Sequence, residues 1–165
     1  MGQEVIVGIQ MPMPKPFVQV ACACEKVLRE HDNVPSLIRV IDTYTLDQPK
    51  VPPPGFKPTL ALVLFVALKS GDVVGEYEIG LRLTKPDGAM NPVGKRSARF
   101  GGGESGVNIQ VGFELESPTS GLYWFDVLWG DEVLTRIPLR LKLRTPADSS
   151  PESIERAPNQ PQTIS

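Results

Sequence analysis

Histidine and cysteine are scarce in this sequence, and their scarcity limits the chemistry that the chain can perform. Among 165 residues there are one histidine, His31, and two cysteines, Cys22 and Cys24. A structural zinc site takes four ligands, usually cysteine or histidine. A nucleophile–histidine pair would have to use His31, which lies in the charged stretch 29–35 that is typical of a turn. The composition therefore predicts a protein that is not an enzyme and that carries no metal or cofactor.

Long apolar runs and a charge excess are missing as well. The run LALVLFVAL at 60–68 is too short to cross a membrane, and no early run has the length of a signal peptide. The net charge is −2, and because the acidic excess lies in 145–165, residues 1–144 are neutral. Nucleic-acid binders normally carry a basic excess. We therefore expect a cytoplasmic protein that contacts no membrane, with reduced thiols and with nucleic acid as an unfavoured partner.

Proline and glycine are plentiful, with 17 and 15 residues. They separate short stretches in which apolar and polar residues alternate, which is the pattern of β-strands. The sequence therefore predicts an all-β fold, an antiparallel β-sandwich of immunoglobulin-like or C2-like type with seven or eight strands. We divide the chain into an N-terminal segment 1–16 with a possible edge strand, a β-sandwich domain 17–144 and a disordered tail 145–165.

The strand pattern is clearest in five stretches, 18–28, 37–46, 60–68, 77–83 and 107–115. The apolar run 60–68 favours a strand that is buried on both faces, and a short buried helix is the alternative. The KPDGA stretch at 85–89 predicts a turn, because proline presets φ and glycine accepts a positive φ. The FGGGESG stretch at 100–106 predicts a flexible loop, since it lacks the Gly-Lys-Ser/Thr ending of a phosphate-binding loop.

The stretch SGLYWFDVLWGDEVLTRIPLRLKLR, at 120–144, predicts a β-hairpin. A two-residue turn at 130–131 would place Phe125 opposite Arg136. A three-residue loop at 130–132 places Phe125 opposite Ile137 and makes one face apolar. A slip of one residue turns every side chain over, so the three-residue loop is favoured.

The second face of this hairpin is also apolar, which is unusual for a sheet that faces water. The favoured register places Trp124 opposite Pro138, Leu128 opposite Leu134, and Asp126 opposite Arg136 as an ion pair. Either the same chain covers this face, or a partner protein or a second copy binds it. We expect a non-enzymatic interaction or assembly module whose binding residues are Leu122, Trp124, Leu128, Leu134, Arg136, Pro138 and Arg140.

Basic side chains suggest an alternative function. One stripe runs along the last predicted strand and consists of Arg136, Arg140, Lys142 and Arg144. A second basic group lies earlier in the chain and consists of Lys95, Arg96 and Arg99. Such a stripe could bind phosphates in a nucleic acid or another anionic ligand. Pairing with Glu114 and Glu116 on a neighbouring strand, or plain solvation, is the simpler interpretation.

Cys22 and Cys24 share one face of the first strand with Val18 and Val20. Free cysteine is among the most buried residue types, so a place in the core is favoured. A thiolate site for metal or redox chemistry is the alternative, and it would need further ligands.

Two segments carry a family resemblance. The pair CEKVLREHDNVPSLIRVIDTYTL (24–46) and SGLYWFDVLWGDEVLTRIPLRL (120–141) resembles a family of small bacterial proteins of unknown function. The resemblance implies an all-β sandwich and a bacterial origin. It brings no activity, substrate or functional residues.

Overall fold

A computed structural model provides the structure, and it describes residues 13–145. Within this range the chain forms seven strands and no helix, which confirms the all-β prediction. The strands are β1 (Phe17–Arg29), β2 (Pro35–Ile41), β3 (Thr43–Asp47), β4 (Thr59–Thr84), β5 (Met90–Glu116), β6 (Gly121–Trp129) and β7 (Glu132–Arg144). The described residues contain no helix that could span a membrane. The predicted edge strand near the start, and the predicted tail beyond Thr145, lie outside the described residues.

A long bent ribbon of β4 and β5 forms the centre of the fold. The two strands pair from Thr59 opposite Glu116 to Thr84 opposite Met90. The predicted strands at 60–68 and 77–83 are therefore parts of one strand, and the helical alternative for 60–68 is wrong. The β4 positions that face the main core change from even-numbered to odd-numbered residues across the bend, because the pairing register shifts between 69 and 74.

The glycine-rich stretch 100–106 lies in β5 at this bend, so the prediction of a flexible loop is wrong. Gly102 and Gly103 have φ values of +77° and +57°, which glycine adopts without the steric cost of a side chain. The side chain of Ser105 contacts the hydroxyl of Ser70 at 2.6 Å and accepts a hydrogen bond from the backbone N–H of Gly101 at 3.2 Å. The glycines allow the ribbon to bend, and the serines hold the bend.

The strands form one curled mixed sheet in the order β2-β1-β4-β6-β7-β3, with β5 on the other side of β4. Strand β1 pairs with the first half of β4, and β6 pairs with its second half. The predicted second strand is split at Asp42, and its two parts, β2 and β3, lie at opposite ends of the sheet order. Strand β3 runs parallel to β7, so the prediction of a purely antiparallel sheet is wrong at this pair.

The main core lies on the concave side of the curl. Its largest fully buried side chains come from four strands and include Leu64, Phe100, Phe125 and Leu139. Each such side chain contributes about 1.5–3 kcal/mol when it leaves water. The indole ring of Trp129 lies 4.6 Å from the ring of Tyr77 and 5.5 Å from that of Phe100, measured between centroids. This packing confirms that the Phe125 and Trp129 face of the hairpin points inward.

The β4–β5 turn has the structure that its sequence predicts. The backbone N–H of Gly88 donates to the carbonyl of Lys85 at 2.9 Å, and Gly88 has a φ of +85°. The carboxylate of Asp87 accepts a hydrogen bond from the backbone N–H of Ala89 at 2.9 Å. Proline, aspartate and glycine at 86–88 are the residue types that such turns require.

Candidate interaction surface

The β6–β7 hairpin combines features of both predicted registers. From Gly121 to Val127 the pairs are those of the three-residue loop, with Phe125 opposite Ile137. The register then shifts between Val127 and Leu128, so the predicted pairing of Leu128 with Leu134 is wrong and Leu128 lies opposite Val133. A β-bulge allows a tight turn after Trp129 while the rest of the hairpin keeps its inward face.

The bulge changes the position of one predicted binding residue. Leu134 packs against the main core, and Val133 takes the predicted place of Leu134 opposite Leu128. Leu122, Trp124 and Leu128 are half-buried, and Arg136, Pro138 and Arg140 are exposed. These six residues alternate with the inward-facing residues of their strands and therefore lie on the convex side. The exchange follows the two-residue turn at 130–131, which the sequence analysis did not favour, and the bulge limits that register to the residues next to the turn.

Strands β4 and β5 extend this convex surface beyond the hairpin. Cross-strand pairs place Thr84 opposite Trp124, Arg82 opposite Asp126, and Gly80 opposite Leu128. We define the outer patch as the convex residues of these four strands, namely Gly80, Arg82, Met90, Pro92, Leu122, Trp124, Leu128, Val133, Arg136, Pro138 and Arg140. The sequence analysis missed the β4 and β5 members because pairing between distant strands leaves no local pattern.

A buried carboxylate lies at the centre of the outer patch. Asp126 is 1% exposed, and Arg82 donates to its Oδ2 from Nη2 at 2.6 Å and from Nε at 3.1 Å. Arg136 Nε lies 3.1 Å from Oδ1, which confirms the predicted ion pair. That contact is poorly aligned, since Oδ1 has no hydrogen-bond partner among the described residues. Two arginines share one carboxylate, so the group carries a net positive charge.

A shallow groove of about 250 Å³ lies beside this charged group. Its lining is mostly apolar and includes Gly80, Arg82, Met90, Pro92 and Leu128. A Cβ atom on Gly80 would lie 3.2 Å from the Cβ of Leu128, which is a tight contact. The glycine therefore leaves open a space that a side chain would fill.

The basic stripe on β7 is partly neutralised. Arg136 contacts Asp126, and Arg144 donates to both carboxylate oxygens of Asp47 at 2.6 and 2.9 Å. The prediction that Glu114 and Glu116 pair with this stripe is wrong, because the neighbours of β7 are β6 and β3. The Arg144 hydrogen bond lowers the pKa of Asp47.

Two cations of the β7 stripe, Arg140 and Lys142, form no ion pair among residues 13–145. In the second basic group, Lys95 Nζ lies 3.1 Å from a carboxylate oxygen of Glu78. Arg99 lies opposite Glu76 across the β4–β5 ribbon. Acidic neighbours therefore accompany much of the basic surface.

The cysteines lie on the convex side in a small second cluster with Phe65 and Ala67. The predicted common face with Val18 is wrong, because a register shift after Val18 turns that residue toward the main core. Burial raises the pKa of the Cys22 thiol and that of the Cys24 thiol. A raised pKa disfavours the thiolate form that redox or metal chemistry needs. The described residues contain no group of three metal-ligating side chains.

A larger cavity of about 510 Å³ lies at one end of the sheet, lined in part by Asp87, Glu114 and Tyr123. The Tyr123 hydroxyl donates to the carbonyl of Thr119 and accepts from its backbone N–H, each at 3.0 Å. The Tyr123 hydroxyl therefore bonds to the connection that directly precedes its own strand, β6, and has a structural partner there.

No protein-family model and no curated protein matches this sequence. Among solved structures, a β-glucosidase from Listeria innocua in complex with laminaribiose has 12% identity and a TM-score of 0.39, over 77% of this chain and 16% of that one. β-Glucosidase 3B from Thermotoga neapolitana, in complex with glucose, has 10% identity and a TM-score of 0.39, over 50% and 14%. The chain therefore spans less than a fifth of these enzymes, and the likeness supports no inference about it.

Proposed function

We propose that this protein is a non-enzymatic interaction module that binds a protein partner, or a second copy of itself, through the outer patch. The observation that carries the proposal is the position of Trp124 and Leu128, which lie on either side of the Arg82–Asp126–Arg136 group on the convex side. Tryptophan and arginine dominate the binding energy of protein interfaces. An apolar face of this kind on a sheet is costly to leave in water.

The solvent exposure of side chains in the outer patch supports binding of a partner, because the described part of the chain does not cover them. Met90 is 64% exposed, and the side chain of Arg136 is 59% exposed. The alternative of a nucleic-acid or anionic-ligand module remains a prediction with less support, because Arg144 on β7 and Lys95 in the second basic group already pair with carboxylates. A cytoplasmic location remains part of the proposal.

We also propose that the curled sheet is a variant of the predicted immunoglobulin-like sandwich, whose two layers would be the two halves of the bent ribbon with their neighbours. Tyr123 supports this interpretation. It lies near the start of β6 and bonds to the backbone of Thr119, four residues earlier. Immunoglobulin-like domains use a tyrosine in this way at a strand corner. An experimental structure in which the halves do not face each other would refute it.

The test of function compares two substitutions on the convex side. Trp124→Glu places a charge in the outer patch. Val40→Glu places the same charge on β2, where Val40 is 60% exposed and lies outside the patch. Tagged full-length proteins would be used to capture partners from cells of the native host, and sedimentation would measure self-association.

We expect the wild type and Val40→Glu to retain the same stoichiometric partner, or the same dimer, and Trp124→Glu to lose it with an unchanged circular dichroism spectrum. Equal behaviour of all three proteins would refute the proposal. Unfolding of Trp124→Glu would show instead that this side chain stabilises the fold.

A further inference from the structure

The groove in the outer patch has the size of a site for one side chain. Its volume of about 250 Å³ lies below the range of about 300–1,000 Å³ that is typical of small-molecule sites. Gly80 forms part of its lining and leaves it open toward Leu128. Met90 and Pro92 line it from β5, and both are exposed. A large apolar side chain of a partner fits this environment.

The arginines beside the groove retain donors for an anion. An arginine side chain has five N–H donors. Arg82 uses Nε and Nη2 on the same oxygen of Asp126, and Arg136 approaches the other oxygen with its Nε. The remaining guanidinium nitrogens make no hydrogen bond among the described residues. Because Asp126 balances only one of the two charges, a second carboxylate would complete the neutralisation.

The groove and the charged group are adjacent, and Arg82 belongs to both. It lines the groove and also binds Asp126. Strands lie about 4.8 Å apart, so the distance from the groove on β4 to Arg136 on β7 is about two strand spacings. A ligand must therefore present its apolar and acidic groups close together, as neighbouring residues of one segment do.

We infer that the outer patch binds an acidic segment of a partner protein, in which a large apolar side chain fills the Gly80 groove and a neighbouring carboxylate pairs with Arg82 and Arg136. This inference rests on the proposed function and specifies its partner. The exposed Arg140, which lies diagonally across from Trp124, extends the positive potential along β7. Rim charges of this kind accelerate association and make it salt-dependent.

The chain's own N-terminal segment is the chief rival occupant. Glu4 precedes Val5 and Ile6 in the sequence, so the segment also combines acid and apolar groups. Lys15 forms an ion pair with Glu132, which places the described start of the chain beside the β6–β7 turn. A synthetic peptide of residues 1–12 therefore belongs in the test.

The experiment pans a random peptide library, displayed on phage, against the immobilised full-length protein. Enriched peptides are then synthesised, and their affinities are measured by fluorescence anisotropy. Gly80→Val fills the groove, and its matched control is Gly112→Val, since nothing lies within 4 Å of a Cβ at Gly112. Arg136→Gln removes one of the two cations that the inference pairs with the peptide carboxylate. Its control is Arg29→Gln, because Arg29 is an exposed residue of β1 outside the patch.

We expect an enriched family with an acidic residue within two positions of a large apolar one. Gly80→Val and Arg136→Gln should each weaken its binding about tenfold or more, whereas the controls should leave it unchanged. Replacement of the acidic residue of the peptide by its amide should weaken binding about as much as Arg136→Gln does. Higher salt should weaken binding to the wild type.

The other outcomes separate the inference from the proposed function. Peptides that lose binding to Trp124→Glu and Gly80→Val but contain no preferred acidic residue would overturn the inference, and they would still support the proposed function. Peptides that are insensitive to both Trp124→Glu and Gly80→Val would count against both. Absence of any enriched family, or tight binding of the 1–12 peptide at the patch, would overturn the inference, and the capture experiment would then decide the function separately.

Discussion

At the scale of the residue, Asp126 is the group that organises the outer patch. Its carboxylate is almost fully buried, yet it lies on the convex side and not in the main core. Trp124 and Leu128 flank it along β6, and arginines from β4 and β7 contact it. A buried charge persists only when it is paired. Asp126 therefore holds Arg82 beside the groove by hydrogen bonds and attracts Arg136 to the same place by its charge.

Asp126→Asn should destabilise the protein. Removing one partner from a fully buried ion pair costs about 3–5 kcal/mol. Both arginines reach solvent here, so we expect the free energy of unfolding to fall by about 1–3 kcal/mol. Urea denaturation measures it. Asp47→Asn is the control, because Asp47 forms a similar pair on an exposed surface and should change stability little. Equal losses in the two variants would contradict the central role of Asp126.

Asp47 should titrate below its ordinary pKa because Arg144 hydrogen-bonds its charged form. A lowered folded-state pKa stabilises the protein above the ordinary aspartate range, and this contribution disappears as the pH falls through the folded-state pKa. The effect is small and salt-sensitive, since the pair is exposed. A carboxyl NMR titration checks the shift. In Arg144→Gln the pKa should return toward its ordinary value, and an unchanged pKa would refute the assignment.

At the scale of the element, the strands are shaped by bulges and glycines at a few sites. The bulge at Leu134 turns one side chain inward and keeps the remaining hairpin in register. The shifts near Gly71 allow β4 to point its even-numbered residues at the main core before the bend and its odd-numbered residues after it. Each shift moves a whole set of side chains, because successive residues of a strand point to opposite faces.

Gly121→Ala should destabilise the protein at the start of β6. Gly121 has a φ of +147°, and an added Cβ would lie 2.6 Å from the Cβ and Cγ atoms of Pro86. A glycine replaced where its conformation is incompatible costs more than about 1 kcal/mol. Gly112→Ala on β5 is the control, and it should be neutral or slightly stabilising because its Cβ meets nothing within 4 Å. Thermal unfolding of both variants measures the difference, and equal melting temperatures would contradict the packing described.

At the scale of the whole molecule, distant parts of the chain hold one another in place. Strand β1 pairs with β4, and β3 pairs in parallel with β7, near the other end of the described residues. The segment 48–58, between β3 and β4, is largely exposed, with Val51 at 83%. The first three strands are therefore tied to the remainder by the sheet as well as by this segment.

Trypsin should cut the described part of the chain first after Lys50. This lysine lies in the exposed segment, whereas Lys57 precedes Pro58 and is a poor site for the enzyme. The nicked protein should elute as one species in gel filtration, because β1 and β3 each pair with strands of the other fragment. Mass spectrometry identifies the cut. Separation of the fragments without denaturant would show that these pairings are too weak to hold the sheet together.

The sequence predicted the features that depend on neighbouring residues. Alternation identified the all-β class and the inward face of Phe125 and Trp129, and proline and glycine identified the turn at 85–89. The pairing of Asp126 with Arg136 followed from the hairpin, because β6 and β7 are close in the chain. Arg82 was missed, since it lies 44 positions from Asp126 and only the β4–β6 pairing brings them together.

Local alternation and the chemistry of each side chain were enough to predict the all-β class, most of the strand-forming segments and the inward face of the last hairpin. Tertiary structure alone decided that β4 and β5 form one bent ribbon, that β3 joins β7 in parallel, and that Leu134 turns inward while Val133 faces outward. These outcomes depend on pairing between distant strands and on bulges that shift the register by one residue. The outer patch brings four strands together, so its groove and its arginine pair arise only when the sheet is assembled.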